Sequence, residues 1–148
     1  MRTRPTLQDA EKFFHHQIPI TRAMGVRVVA HDDDQFIVEA PVALNSNHLR
    51  TAFGGSINAM ATLAAYGCLW LELNEPAFHV VVAESSIRFL RPVREAIRAT
   101  CPRPDREAWK AFRLRLDEKG KAHIILRVSV AEESLAATFE GTFVVQKT

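Results

Sequence analysis

Between Ser56 and Leu73 the chain passes through Ala59, Met60, Ala61, Leu63, Ala64, Ala65, Tyr66, Cys68, Leu69, Trp70 and Leu71, leaving almost no polar face. A helix that is apolar all round has to be covered all round. At about 1.5 Å per residue such a segment is roughly 27 Å long, close to the width of a small domain. Spanning a bilayer takes about 18–20 apolar residues, whereas Thr62 and Gly67 interrupt this stretch and Glu72 closes it. It reads as a buried helix and not as a membrane span. The length of 148 residues suits a single domain, 1–148. The remainder of that domain must therefore wrap the helix.

The flanking segments supply the wrapping. Thr6 to His16 reads as a short amphipathic helix, with Thr6 as N-cap and Pro19 as its stop. Val26 to Val29 and Phe36 to Val42 read as strands joined at His31-Asp32-Asp33-Asp34. A polar loop, Asn45 to Ala52, leads into Phe53-Gly54-Gly55-Ser56. Phe78 to Arg91 and Ala96 to Cys101 are strand-like. Asp105 to Leu116 has helical spacing, with Asp105 as N-cap and Gly120 as C-cap. Ala122 to Ala131 alternates cleanly, Glu132-Glu133-Ser134 turns the chain, and Leu135 to Val145 alternates back as an antiparallel hairpin. The economical arrangement is α+β, a curved antiparallel sheet around one long buried central helix. A six-stranded open sheet has edges that must be paired or protected.

Composition narrows the class further. An apolar share of 47% and a charged share of 24% fit an ordinary globular chain. Two cysteines, Cys68 and Cys101, are too few for a disulfide scaffold, so a reducing, cytoplasmic setting is expected. Met1 to Gln17 carries no apolar run of the signal-peptide kind. The net charge of +2 hides an asymmetry: residues 88–127 hold twelve Lys/Arg against five Asp/Glu. An anionic partner would suit that segment, and so would a plain solvated face. No basic block with interleaved aromatics points to nucleic acid.

The element order, with Gly-Gly opening a buried helix, resembles the hotdog fold, and most closely the putative thioesterase family of the YiiD C-terminal type. The matching residues are Asn45, Asn47-His48 and Thr51-Ala52-Phe53-Gly54-Gly55-Ser56. They continue through Met60 to Leu63, Gly67, Trp70-Leu71 and Ala83-Glu84-Ser85-Ser86-Ile87-Arg88-Phe89-Leu90-Arg91-Pro92-Val93. The resemblance implies a homodimer or dimer of dimers with sheets joined edge to edge. It also implies sites at the subunit interface, and an acyl-CoA or acyl-carrier-protein thioester as substrate with no cofactor.

Each candidate residue has a chemical reason beside a plainer one. The first turn of a helix offers unpaired N–H groups and a positive dipole end, which suit the oxyanion formed when water attacks a thioester. Gly54, Gly55 and Ser56 occupy that turn; the plainer reading is a sharp chain reversal. The resemblance puts Asn47 where it orients the water or contacts the thioester. His48 is a candidate general base, imidazole being suited to proton transfer near neutral pH. Otherwise Asn47 closes a local turn and His48 is exposed. Many hotdog thioesterases carry a helix Asp or Glu seven residues after the second glycine. Here Thr62 stands there, able to bond a water or its own helix carbonyl.

Glu84, in an otherwise apolar strand, is the replacement carboxylate and candidate base; the resemblance implies that its strand approaches the helix entry of a second copy, and an ion pair with Arg88 or another arginine is the rival reading. Arg88, Arg91 and Arg94 are candidates for coenzyme A phosphates. Cys68 and Cys101 lack a nucleophile motif, Cys68 reads as core, and no Cys/His spacing suggests a metal. Three activities fit: a thioester hydrolase, a non-catalytic acyl-thioester-binding or regulatory protein, and a dehydratase built on His48 and Glu84.

Overall fold

The computed structural model describes residues 5–75 and 77–148; the first four residues of the Met1–Gln17 stretch lie outside them. Four helices, α1 (Leu7–Gln17), α2 (Ile20–Ala23), α3 (Gly54–Leu73) and α4 (Arg106–Lys119), accompany six strands. The strands are β1 (Arg27–His31), β2 (Gln35–Pro41), β3 (Phe78–Phe89), β4 (Ala96–Pro102), β5 (Lys121–Ala131) and β6 (Leu135–Lys147). They form one antiparallel sheet in the order β1-β2-β4-β5-β6-β3. The sheet curves around α3, which packs on β2 to β6. This is the hotdog arrangement.

The central helix starts two residues earlier than the periodicity suggests, so both glycines lie inside its first turn. Eleven of its 20 residues are buried. It ends at Asn74, whose φ of 48° reverses the chain; Asn tolerates this left-handed region better than most residues. Close approach to the neighbouring aromatic rings is set by Gly67. A Cβ there would lie 2.6 Å from Phe36 and 2.7 Å from Phe14. Phe14 belongs to α1, which begins with a capping box between Thr6 and Asp9. Pro19 does not simply end that helical region. It stands at the N-cap of the four-residue α2, an element that the sequence pattern does not predict.

The two sheet edges differ. At β1 the edge is covered by α1: Glu11 Oε1 accepts the Val28 N–H at 2.9 Å, and His15 Nε2 donates to Val26 O at 2.7 Å. At β3 nothing in the described chain covers the edge, and Val81 and Val82 are 59% and 43% exposed. A register shift at Ala83 changes which β3 residues face the helix. Before it, Val80 and Val82 pair with the buried Val145 and Phe143. Beyond it, Glu84, Ser86 and Arg88 pair with Thr142, Glu140 and Thr138, while Ser85 and Ile87 pair with Gly141 and Phe139 on the helix side. Directly paired residues share a face.

The Gly67 contact carries a stability prediction. Alanine gains about 1 kcal/mol of helix propensity over glycine, but the added methyl must displace two buried rings, a class of change costing about 1–3 kcal/mol. Gly67→Ala is expected to lower the unfolding free energy in urea titration; an increase would show that Phe14 and Phe36 yield freely.

Candidate active site

The start of α3 is stitched to two other loops by main-chain bonds. Phe53 N donates to Asn45 O at 2.7 Å, Ala52 N to Val93 O at 2.8 Å, and Val42 N to Glu95 O at 2.9 Å. The buried Asn45 amide completes the anchoring, giving its two N–H groups to Met24 O and Pro41 O at 2.9 and 2.8 Å. Replacing it would strand two carbonyls inside the protein. This makes Asn45 the structural asparagine of the loop, although the sequence marks Asn47 equally.

In the first turn of α3, Ser56 N and Ile57 N donate to Phe53 O at 2.9 and 3.1 Å. Among the described residues nothing accepts from Gly54 N or Gly55 N, so these two hold the open donors while Ser56 N is engaged. No side chain caps the helix. Two exposed rings border the donors instead. Phe53 lies against Gly55, where a Cβ would come within 2.5 Å of the ring, and Phe89 lies 3.6 Å from the corresponding position on Gly54. They are 56% and 54% exposed.

From Gly55, the residues Ala59, Thr62, Leu63 and Tyr66 follow at helical spacing along one stripe. Ala59, Met60, Thr62, Leu63 and Tyr66 line an apolar groove of about 430 Å³ whose lining also includes Val80, Val81 and Val82. The stripe from Gly55 to Tyr66 is about 16 Å long at 1.5 Å per residue. Thr62 reaches the groove wall, and its hydroxyl donates to Asn58 O at 2.8 Å, leaving its oxygen lone pairs for another donor. Asn58, one turn below Gly54, has a buried Oδ1 without a partner among the described residues. Sequence reasoning missed it; a polar residue in an otherwise apolar helix was the available signal.

The remaining candidates are dispersed. Asn47 is engaged in its own turn: Nδ2 donates to Thr51 Oγ1 at 3.0 Å, and Oδ1 accepts from Leu49 N and Thr51 N at 2.9 and 3.2 Å. His48 stands exposed on that turn. Glu84 is exposed on the face of β3 turned away from α3, so it does not meet Gly54 or Thr62 of its own chain. Its expected place is beside the helix start of a second copy of the chain, and an outward, exposed position in one chain leaves that expectation standing. Among the described residues no ion pair links Glu84 to Arg88 or to another arginine.

Arg88 shares the outer face with Ser86, Arg127 and Glu140. Arg91 and Arg94 flank a different cleft, of about 480 Å³, next to the loop that holds Ala52. Its floor carries Glu132, whose carboxylate accepts the N–H groups of Arg94, Glu95 and Ala96 at 3.1, 2.7 and 3.2 Å. Desolvation would raise the pKa of this carboxyl, but the three N–H groups and the Arg94 charge outweigh it and hold the value below the usual carboxylate range. Among the described residues no helix is long and apolar enough to cross a membrane.

The fold has counterparts in known proteins. A protein of unknown function from Chlorobaculum tepidum TLS is 31% identical, with a TM-score of 0.91 over 95% of this chain and 94% of that one. A structure described as the putative thioesterase from Shewanella oneidensis is 30% identical, with a TM-score of 0.81 over 93% and 95% of the two chains. A Pseudomonas aeruginosa protein described as a probable thioesterase shares the fold at 22% identity, with a TM-score of 0.84 over the full length of both. The family model described as "Putative thioesterase (yiiD_Cterm)" matches residues 7–147, and the chain belongs to that family.

Proposed function

We propose that the protein hydrolyses acyl thioesters of coenzyme A or of an acyl carrier protein at the start of α3. The observation that carries this reading is the pair of open N–H donors on Gly54 and Gly55, one helical turn before Ala59, where the lining of the apolar groove begins on α3. The donors take the thioester oxygen and stabilise its charge as water attacks. The acyl chain lies along Ala59, Leu63 and Tyr66. Asn58 Oδ1 and Thr62 Oγ1 are the acceptors available to hold water on the helix. His48 takes the proton, Asn47 fixes the turn that presents it, and Ser56 lines the same mouth. Arg91 and Arg94, on the loop bonded to Ala52, receive phosphate or an acidic carrier surface, with Arg88 further out.

The outward face of Glu84 and the engaged amide of Asn47 favour a second reading, a non-catalytic thioester-binding protein. Thiol release over a panel of acyl-CoAs separates the two. Gly54 is the first helical residue and follows an extended Phe53 with φ −64° and ψ 133°, the setting in which proline is tolerated. Gly54→Pro removes one donor and is expected to cut kcat by about 10²–10³ without lowering Tm, while Gly54→Ala keeps the rate. Equal rates for both variants would remove the oxyanion role. His48→Asn is expected to cost about 10²-fold or more; unchanged activity would place the base elsewhere. Thioester binding with no hydrolysis at any chain length would establish the binding reading instead.

The uncovered β3 edge fits a second copy of the chain, and the groove wall at Val80 to Val82 would then lie at the interface. Light scattering should give a dimer or dimer of dimers. Val82→Lys should shift it to monomer and abolish hydrolysis; a monomeric, active wild type would exclude a shared site.

A further inference from the structure

At the other end of α3 lies a cluster that the hydrolase reading does not use. Arg103, just after β4, turns its guanidinium inward, and its side chain is only 10% exposed. Nε donates to Asp32 O at 3.0 Å, Nη1 donates to Cys68 O at 3.2 Å and pairs with Glu72 at 3.1 Å, and Nη2 donates to His31 Nδ1. These contacts hold Nη1 3.6 Å from Cys68 Sγ. Cys101 lies two residues before Arg103 at the same strand end and neighbours the Cys68 thiol; its S–H points to Pro102 O at 3.6 Å and can turn to the Cys68 sulfur instead. Both cysteines are buried and reduced.

We propose that Cys68 and Cys101 form an oxidative modification site in which a hydroperoxide converts the pair to a disulfide between α3 and β4. Isolated buried thiols are inert, whereas a thiol beside a fixed cation has thiolate character. The hydrogen bond from Cys101 lowers the Cys68 pKa, burial opposes it, and the Arg103 charge assists. Acting as the donor pushes Cys101 up. Neither cysteine reaches the surface; a cavity of about 390 Å³ lined by Asp33, Glu72, Arg103, Pro104, Arg106 and Trp109 is separated from Cys68 by the Arg103 side chain, which must move for a peroxide to enter.

The Cys68 thiolate attacks the distal oxygen of the hydroperoxide, and the O–O bond breaks. The alkoxide or hydroxide leaves with a proton and Cys68 becomes a sulfenic acid. The Cys101 sulfur then attacks the Cys68 sulfur. The S–S bond forms, the S–O bond breaks, and the hydroxyl leaves as water with the Cys101 proton. A dithiol reverses the product. The site is independent of whether the protein hydrolyses thioesters.

The test treats the folded full-length protein with hydrogen peroxide, followed by alkylation under denaturing conditions and peptide mass mapping. The expected result is loss of both alkylation sites and an intramolecular cross-linked peptide containing Cys68 and Cys101, reversed by dithiothreitol. Cys101→Ser should instead leave a dimedone-reactive sulfenic acid on Cys68, and Arg103→Lys should slow oxidation at least about tenfold through loss of the fixed fork. Continued alkylation of both thiols after peroxide would overturn the proposal. So would a disulfide found only between chains, or overoxidation of Cys68 without the cross-link.

Discussion

Everything in this fold is arranged around a helix with almost no polar face. Because α3 is apolar on almost every side, one curved sheet must bend around it, and the helices α1 and α4 fill what the sheet leaves open. Close packing against that helix selects small residues, Gly67 among them, where the rings of Phe14 and Phe36 come in. The same demand fixes where polar groups can survive. They sit at the helix start, where the N–H groups of Gly54 and Gly55 have no helical carbonyl to bond, and at the opposite end, where Arg103 is held by five acceptors.

Position and chemistry are linked through the loops that meet at the first turn of α3. Asn45 is buried and spends its amide on two carbonyls, so the polar run before the helix has a fixed shape. The neighbouring segment around Val93 is bonded to the same run and carries Arg91 and Arg94. A charged surface and a pair of backbone donors are thereby kept close by main-chain bonds, which side-chain substitution does not remove. The aromatic rings of Phe53 and Phe89 give the donors an apolar border, where hydrogen bonds to a developing charge are stronger than in open water.

Much of the architecture was legible in the chain because the relevant signals are periodic. The buried helix, the β5–β6 hairpin, the Thr6 and Asp105 caps and the Gly120 stop all arise from local patterns that the structure shows. The site was less legible for a specific reason. Simple alternation puts Glu84 on the same face as Val80 and Val82, toward the helix. One extra residue at Ala83 shifts the register and sends the carboxylate outward. Nothing in a run of valines and alanine announces that shift. Asn45 and Asn47 are likewise indistinguishable by type, and only the tertiary partners show that one is a buried clamp and the other closes a turn. The four-residue α2 was missed because Pro19 signals the end of α1 as strongly as the start of a second helix.

The unequal edges of the sheet bear on how far assembly can proceed. With Glu11 and His15 occupying main-chain groups at the β1 side, that border offers a poor template for another strand. The β3 border is the one left for pairing among the described strands. Under the proposed pairing of two copies through β3, like strands meeting about a two-fold axis would use up that border in both chains. Strand-by-strand extension of the sheet would then end with the second copy. A long uncovered β3 would in that case not invite fibrous polymerisation.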